Sequence, residues 1–302
     1  MMSRAAEITA IVVSFDSAAV LPACLAALAA EGVPAIVVDN ASGDGSAEIA
    51  ERAGATVLRN ARNEGYGRGN NRGVRAATTP FVLIVNPDLE IAPGAVAALL
   101  AAAEAYPDAA ALAPRIIEPS GRVFLQPRSL LSPPHLNLPG RMVLPEGDAC
   151  LPFLSGACLL LRREVFLGLG GFDPAIFLFY EDDDLCRRLR DADHALVHVD
   201  AASARHGRGR STAPSPQRRF TARWHLAWSE YHVRRAYGLP LPGLGPIATN
   251  LLKAAGYGLI AKRDKMMAHA GSAAGALAAR RGQSALARQG LDTAPEQGGE
   301  AS

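Results

Sequence analysis

Cysteine is scarce in this chain of 302 residues, which has only four, and none of them belongs to a CxxC pair. The four are Cys24, Cys150, Cys158 and Cys186, each among apolar neighbours in the sequence. This pattern favours buried, reduced thiols over disulfide bonds, and reduced thiols predict a cytoplasmic location.

Long apolar runs are also lacking, and the net charge is small. No stretch has the roughly 18 apolar residues that a membrane-spanning helix needs, and no signal peptide is recognisable. The formal net charge of +2 does not point to a nucleic-acid partner. The arginines are unevenly spread, however, with eight between Arg205 and Arg235 and only Glu230 as an acid among them. A basic face is predicted in that segment.

The first hundred residues alternate short, β-branched apolar runs with helical segments. Four runs have the length of strands, at 8–14, 35–40, 56–60 and 81–86. Continuously apolar strands separated by helices predict an α/β fold with a mostly parallel sheet covered on both faces. Ligands of such sheets bind beyond the carboxyl ends of the strands. The polar residues expected to cluster there are Ser14, Asp39, Asn40, Asn60, Asn86 and Asp88.

The pattern changes after Pro107. The runs AALAPRII and GRVFLQ can pair as strands, whereas residues 128–152 predict a mobile loop near the site. Helical patterns return beyond Gln217. The sequence thus predicts an α/β domain at 1–215, a helical segment at 216–282 and a disordered tail at 283–302.

Two polar motifs follow the second and third predicted strands. In VVDNASGDGS, Asp39 can accept a hydrogen bond from a base N–H or a ribose hydroxyl, or it can form an Asx-turn. Asp44 is expected to cap a helix. In RNARNEGYGRGNNRG, at 59–73, glycines allow backbone N–H groups to approach a diphosphate at a helix N-terminus. A tight strand–helix connection is the alternative there.

The fourth predicted strand ends in VLIVNPDLEI. Pro87 restricts the backbone, and Asp88 then stands where a hard divalent cation could bridge it to phosphate groups. A single carboxylate needs further ligands, and His206 in the motif RHGRGRS is a candidate. An ordinary loop histidine is the alternative for that residue.

The segment FLFYEDDDLCRRLR places four adjacent acids after an apolar run. Asp183 and Asp184 have arginines four residues later, at Arg187 and Arg188, so two acids are explained as helix-stabilising ion pairs. Glu181 and Asp182 are expected just before the helix, without partners at that spacing. A carboxylate held there can act as a general base on a substrate hydroxyl.

These motifs, in this order, resemble the inverting family 2 glycosyltransferases of the GT-A fold, and in particular the rhamnosyltransferase-like subgroup. The resemblance covers roughly residues 8–211 and continues more weakly to about 238. This chain has Asn86 where many members have the first acid of a DxD-type motif, and Phe15-Asp16 where many have Tyr-Asn.

The resemblance implies a role for each matching position. Asp182 would be the catalytic base, and Glu181 and Gly156 would contact the acceptor. Asp88 and His206 would hold Mg²⁺ or Mn²⁺. The donor would be bound by Ser14, Asp39, Asn40, Asn63, Gly65 and Asn70.

The resemblance also implies a reaction. It predicts inverting transfer of a sugar from a nucleotide-diphosphate sugar, most simply dTDP-L-rhamnose, to a glycan or lipid-linked acceptor in cell-surface polysaccharide synthesis. A UDP- or GDP-sugar donor, a sugar nucleotidyltransferase and a non-catalytic binding protein of the same fold are the alternatives.

Lipid-linked acceptors suggest a peripheral position on the inner face of the membrane, through a basic-aromatic surface near the C-terminus. The aromatic residues concerned are Trp224, Trp228, Tyr231 and Tyr237. Two helices that pack on the catalytic domain, with their arginines in solvent, are the alternative.

Overall fold

The computed structural model describes residues 7–125, 129–133, 144–207 and 215–291. These residues form two compact units. The α/β unit contains the described residues up to 172 and those from 181 to 207, and the helical unit contains 173–180 and 215–291.

The described residues form ten strands and ten helices. The strands are β1 (Ile8–Ser14), β2 (Ala35–Asp39), β3 (Thr56–Arg59), β4 (Phe81–Val85), β5 (Leu89–Ile91), β6 (Ala109–Ile117), β7 (Val123–Phe124), β8 (Ala149–Cys150), β9 (Cys158–Arg162) and β10 (Ala195–His206). The helices are α1 (Leu21–Ala30), α2 (Ser46–Arg52), α3 (Tyr66–Ala76), α4 (Ala95–Ala105), α5 (Arg163–Gly168), α6 (Glu181–Asp191), α7 (Pro216–Ala236), α8 (Gly245–Leu259), α9 (Arg263–Arg280) and α10 (Ala285–Arg288).

All ten strands belong to one mixed sheet. Its main path is β3-β2-β1-β4-β9-β6-β10-β5, with β7 paired to β6 and β8 paired to β10. Strands β3, β2, β1 and β4 are parallel, as the strand–helix alternation predicts. Strand β9 lies antiparallel between β4 and β6, so the other half of the sheet is mixed. The predicted α/β class is confirmed.

The sheet has a separate apolar cluster on each face, because side chains alternate along its strands. In β1, Ala10 and Val12 join one cluster with residues of α1 and α4, whereas Ile11 and Val13 join the other with residues of α3, α5 and α6. The unit is therefore a three-layer structure with helices on both faces.

Helix α3 packs unusually close to β1 because it presents glycines to that strand. A Cβ on Gly73 would lie 2.4 Å from Ile11 Cγ2, and one on Gly69 would lie 2.9 Å from Val13 Cγ1. Both distances are shorter than carbon–carbon contacts allow. The glycines of the GRGNNRG motif thus bring the helix against the sheet beside the ends of β1 and β2.

The helical unit has its own apolar cluster, built mainly from α7 and α9. Trp224, Trp228 and Tyr231 of α7 are buried in it, together with Phe177 from the segment 173–180. Helix α9 supplies small residues to this contact, and a Cβ on Gly275 would lie 2.1 Å from the backbone oxygen of Trp224. No helix in the described parts of the chain is long and apolar enough to cross a membrane.

Several local expectations are wrong. Residues 283–291 are not a frayed tail, because α10 caps on Ser284 and buries Leu286 and Leu291 in the helical unit. Cys150 is exposed, because it lies on the short strand β8, although the other three cysteines are buried. Glu181 and Asp182 do not precede the helix, because α6 begins at Glu181 and includes both. The basic loop residues 208–214, and residues 128 and 134–143 of the predicted mobile loop at 128–152, lie outside the described residues.

We expect Gly275→Ala to lower the stability of the helical unit by about 3 kcal/mol, because the new methyl group meets the α7 backbone, which cannot move like a side-chain tip. Gly256→Ala is the matched control, since no atom lies within 4 Å of a Cβ there and alanine favours a helix by up to about 1 kcal/mol. Thermal unfolding followed by circular dichroism should separate the two variants in opposite directions. Equal midpoints would contradict the close packing of α7 and α9.

Candidate active site

The carboxyl ends of β1, β2 and β3 meet at one edge of the sheet. Ser14 is paired in register with Asp39. The Asn40 N–H donates to the Ser14 carbonyl at 2.8 Å, and the Asn60 N–H donates to the Asp39 carbonyl at 2.8 Å. The predicted clustering of these strand-end residues is therefore present in the fold.

The two carboxylate oxygens of Asp39 have different environments. Oδ2 accepts a hydrogen bond from the Ser42 N–H at 3.0 Å, which is the local turn expected as one alternative. Oδ1 is buried and has no hydrogen-bond partner among the described residues, and the same is true of the Ser14 hydroxyl oxygen. A buried acceptor without a donor is costly. The pair is thus suited to a ligand that brings an N–H or O–H group.

The side chain of Asn40 is hydrogen-bonded to other residues of the protein. Its amide nitrogen donates to the Gly65 carbonyl at 3.0 Å, and its oxygen accepts from the Asn60 amide at 2.6 Å. Arg72 donates in turn to the Asn60 side-chain oxygen. This network ties the ends of β2 and β3 to the glycine-rich segment.

The glycine-rich segment enters α3 through a sharp turn. Gly65 is the N-cap, with φ near 90°, and its N–H donates to the Asn63 side chain at 2.9 Å. Only glycine adopts that backbone conformation readily. Asn70 donates to the Tyr66 carbonyl at 3.0 Å, while its own side-chain oxygen is buried and meets no donor in the described parts of the chain. Asn70 therefore offers a third unsatisfied acceptor near the start of α3.

The two residues predicted to hold a metal are in direct contact. His206 Nε2 lies 3.2 Å from Asp88 Oδ1 and 3.5 Å from the Asn86 amide nitrogen. The sheet causes this meeting, because His206 at the end of β10 pairs with Leu89 at the start of β5. The exposed fractions of the two side chains are 14% for His206 and 1% for Asp88, so the pair is largely shielded from water.

This pair fits a divalent cation as part of a ligand set. Two adjacent ligands of an octahedral cation at about 2.1 Å stand about 3 Å apart, close to the separation found here. The described residues contain no group of three or more His, Cys, Asp and Glu side chains arranged around a metal. Asp88 and His206 would therefore supply two ligands, and substrate oxygens and water would supply the others.

Gly156 connects the segment of Asn86 and Asp88 to the acidic residues 181–184. Its N–H donates to Asp182 Oδ2 at 3.0 Å, and its carbonyl accepts from the Tyr66 hydroxyl at 2.6 Å. The next carbonyl, that of Ala157, accepts from the Asn86 N–H at 2.9 Å. The predicted base Asp182 and the predicted acceptor residue Gly156 are thus neighbours, and a short stretch of backbone links them to the segment that carries Asp88.

Asp182 is less buried than the acids on either side of it. Its two oxygens accept from the N–H groups of Gly156 and Asp183, each at 3.0 Å. Burial raises the pKa of Asp182, and these backbone hydrogen bonds oppose the rise. The carboxylate is therefore held in one orientation by donors that favour its charged form.

The neighbouring acids have different environments. Burial, reinforced by the charge of Asp182, raises the pKa of Glu181 well above its ordinary value, and no described residue donates a hydrogen bond to Glu181 Oε2. Burial and Asp182 also raise the pKa of Asp183 to about 7, although the Ser129 hydroxyl and the Leu130 N–H donate to it. These shifts favour neutral forms of both flanking acids, which reduces repulsion around Asp182.

One of the two predicted ion pairs is confirmed. Arg188 donates to Asp184 at 2.6 Å, and also to the carbonyls of Leu169 and Gly171. The pair of Asp183 with Arg187 is wrong, because Arg187 contacts Asp191 at 2.7 Å. Asp183 instead turns inward, where the segment 129–133 supplies its donors.

Sequence reasoning missed two residues that organise the site. Tyr66 carries the hydroxyl that holds Gly156, and its ring packs against Phe172 at 6.1 Å. Asn71 forms a double hydrogen bond with the backbone of Phe172, at 2.8 Å in both directions. An aromatic residue inside the glycine-rich motif was the one available signal for Tyr66.

The backbone just before the acids is strained. Phe179 and Tyr180 have φ values of 68° and 70°, in a region that bulky side chains rarely adopt. Such strain is characteristic of functional sites, where surrounding contacts enforce it. No sequence pattern indicated this feature.

Comparison with known proteins gives a consistent family. The profile of Glycosyl transferase family 2 matches residues 9–170, which is more than half of the chain. The N-acetylglucosaminyl-diphospho-decaprenol L-rhamnosyltransferase of Mycobacterium tuberculosis (strain ATCC 25618 / H37Rv) is 32% identical over 219 residues, covering 63% of this chain and 71% of that protein.

Two solved structures share the fold at low sequence identity. The mannosyltransferase PcManGT from Pyrobaculum calidifontis, in complex with GDP-Man and Mn²⁺, has a TM-score of 0.57 at 17% identity, over 91% of this chain and 87% of that one. GalNAc-T7 with UDP, GalNAc and Mn²⁺ has a TM-score of 0.53 at 15% identity, over 79% of this chain and 52% of that one.

The chain belongs to glycosyl transferase family 2 and is a glycosyltransferase. This membership favours that activity over the nucleotidyltransferase and the non-catalytic binding protein considered from the sequence.

We expect Asp183→Asn to flatten the pH dependence of stability. Between about pH 4 and the raised pKa of about 7, the folded state keeps a proton on Asp183 that the unfolded state has released. The free energy of unfolding attributable to this group therefore falls as the pH rises through that window, and the variant removes the fall. Urea unfolding at several pH values checks this, with the exposed Asp191→Asn as control; equal slopes for wild type and Asp183→Asn would contradict it.

Proposed function

We propose that the chain transfers a sugar from a nucleotide-diphosphate sugar to a hydroxyl of a glycan or lipid-linked acceptor, with inversion at the anomeric carbon. The observation that supports this most directly is the orientation of Asp182 by the Gly156 N–H at 3.0 Å. The residue after Gly156, Ala157, accepts a hydrogen bond from the Asn86 N–H, two residues before Asp88. Asp88 in turn contacts His206.

The donor nucleotide would occupy the edge formed by β1, β2 and α3. Asp39 Oδ1 and the Ser14 hydroxyl would accept hydrogen bonds from the base or the ribose, since both are buried and neither is bonded to another described residue. Asn70 offers a further acceptor. Asn63 and Gly65 would shape the pocket wall through their turn, and Asn40 would hold that turn in place.

Asp182 is the best candidate for the general base among the acids at the start of α6. Glu181 favours its neutral form, and Asp183 is bound to Ser129 and Leu130. Asp182 would accept the proton of the acceptor hydroxyl while that oxygen bonds to the anomeric carbon. The bond to the nucleoside diphosphate breaks in the same displacement, so the configuration inverts without a covalent enzyme intermediate.

The leaving group departs as an anion and needs positive charge nearby. Asp88 and His206 would hold Mg²⁺ or Mn²⁺, which when bound offsets the charge of the diphosphate. The shielding of both side chains from water strengthens electrostatic interactions there.

The donor we propose is dTDP-L-rhamnose, and the acceptor is lipid-linked. The support is the likeness to the mycobacterial rhamnosyltransferase, whose name specifies L-rhamnosyl as the transferred group and N-acetylglucosaminyl-diphospho-decaprenol as the acceptor. UDP- and GDP-sugars are the alternatives, because the two solved structures contain UDP and GDP-Man. A lipid-linked acceptor would bring the chain to the cytoplasmic face of the membrane.

Asp182→Asn should reduce sugar transfer by about 10²- to 10⁴-fold, the usual contribution of a general base, while donor binding is retained. Asp191→Asn, an exposed acid of the same helix, should leave transfer unchanged. Initial rates with purified protein and a lipid-linked acceptor provide the measurement. Transfer by Asp182→Asn at the wild-type rate would remove Asp182 from the base role.

A donor screen by thermal unfolding tests the choice of nucleotide. With Mn²⁺ present, dTDP-L-rhamnose at about 100 times its Kd should stabilise the folded protein by about 2.7 kcal/mol, more than UDP- or GDP-sugars at the same concentration. Asp88→Asn should weaken the Mn²⁺-dependent part of this shift. A larger shift with a UDP- or GDP-sugar would overturn the proposed donor but not the transfer reaction.

A further inference from the structure

Helix α8 carries an apolar stripe that faces solvent. Leucine or alanine occupies positions 244, 248, 251, 252, 255 and 259, the spacing that lines one face of a helix. In most globular proteins such a stripe faces the core. Here Leu252 is 75% exposed and Leu259 is 88% exposed, and Leu244, Leu251 and Ile260 are each at least half exposed.

Although these side chains are exposed, α8 is packed firmly in the helical unit. The other face of α8 packs on α9, with Ile247 buried and the Asn250 side chain bonded to His269 at 2.8 Å. Tyr257 stacks on the same histidine at 5.5 Å, and Lys265 lies over the Tyr257 ring. The inner face of α8 is therefore packed against α9, and the leucine stripe on its outer face is exposed to solvent.

The charged side chains of α8 itself are all basic, and the first acid after it is Asp264 of α9, which pairs with Arg219 at 3.6 Å. The sequence contains no Asp or Glu from Tyr231 to Arg263, a segment that includes the whole of α8. The cations Lys253, Lys262 and Arg263 lie in or directly after the helix. Long basic side chains beside an apolar stripe can reach anionic headgroups while their stems stay in an apolar layer.

We propose that α8 binds in the plane of an anionic lipid bilayer, with its leucine stripe in the headgroup–acyl boundary and its basic residues against the headgroups. An in-plane helix of this kind combines apolar burial with attraction to anionic lipid. A second copy of the chain is a poorer occupant, because a symmetric contact would bring the cations of the two copies together, while the adjacent acid Asp264 already pairs with Arg219. The inference does not depend on the donor site.

The structure changes which residues could meet the membrane. The aromatic residues Trp224, Trp228 and Tyr231, expected from the sequence to form a basic-aromatic surface, are buried in the helical unit. The sequence-based surface on α7 is therefore wrong for these three side chains. Helix α8, which carries no Trp and one inward-facing Tyr, provides the exposed apolar area instead.

Flotation with vesicles tests the proposal. The full chain should float with vesicles of phosphatidylcholine and phosphatidylglycerol in equal parts at low salt, and should float at least about ten-fold less with pure phosphatidylcholine. The double variant Leu252→Gln and Leu259→Gln should lower binding to the anionic vesicles by about ten-fold or more. Both leucines are exposed, so the change should leave the thermal unfolding midpoint unaltered.

Leu144→Gln is the matched control, since Leu144 is 46% exposed but belongs to the α/β unit, and it should bind as the wild type does. Light scattering without vesicles tests the rival occupant. A wild-type dimer that the double variant converts to a monomer would overturn the proposal in favour of a second copy. Absence of flotation at low salt, or equal flotation of wild type and double variant, would also overturn it, and the proposed sugar transfer would be unaffected.

Discussion

The hydrogen bond from the Gly156 N–H to Asp182 joins the parts of the candidate active site. Gly156 precedes β9, which lies antiparallel to β4, so its backbone is fixed beside the segment that leads to Asp88. Its carbonyl is held by Tyr66 at the start of α3. A Cβ at this position would lie 3.3 Å from Asp182 Cβ, tighter than nine in ten real contacts, so Asp182 would have to shift by a few tenths of an ångström. The glycine therefore lets Asp182 keep its present position against the backbone of residue 156.

The row of acids shows how environment separates identical chemical groups. Glu181 and Asp183 flank Asp182 in sequence, and burial pushes both toward neutral forms. Asp184 is used by Arg188, which fastens the loop at Leu169 and Gly171 to α6. Asp182 alone receives two backbone donors while remaining partly accessible. Pairs of acids with divergent environments are a common basis for acid–base assignments in enzymes.

The sequence predicted the parallel half of the sheet because its strands are long, apolar and regularly spaced. It also predicted that Ser14, Asp39 and Asn60 would meet, since that follows from strand direction alone. The short strands β5 and β8 escaped prediction, because two or three residues carry no periodic signal. The meeting of His206 with Asp88 depends on antiparallel pairing between distant segments, which no local pattern encodes.

Side-chain direction was harder to predict than secondary structure. The spacing of Asp183 and Arg187 permits an ion pair on a helix, but it cannot show that Asp183 faces inward toward Ser129. In the helical unit, the sequence likewise could not show which helix faces are buried and which meet solvent. The aromatic residues of α7 resembled a surface for lipid, yet the glycines of α9 allow that helix to approach and cover them. The leucine stripe of α8 has the spacing of a core face, yet it is exposed because Ile247 and Asn250 already occupy the contact with α9. Periodicity identifies an apolar face, but only the packing of neighbouring helices decides whether that face meets protein or solvent.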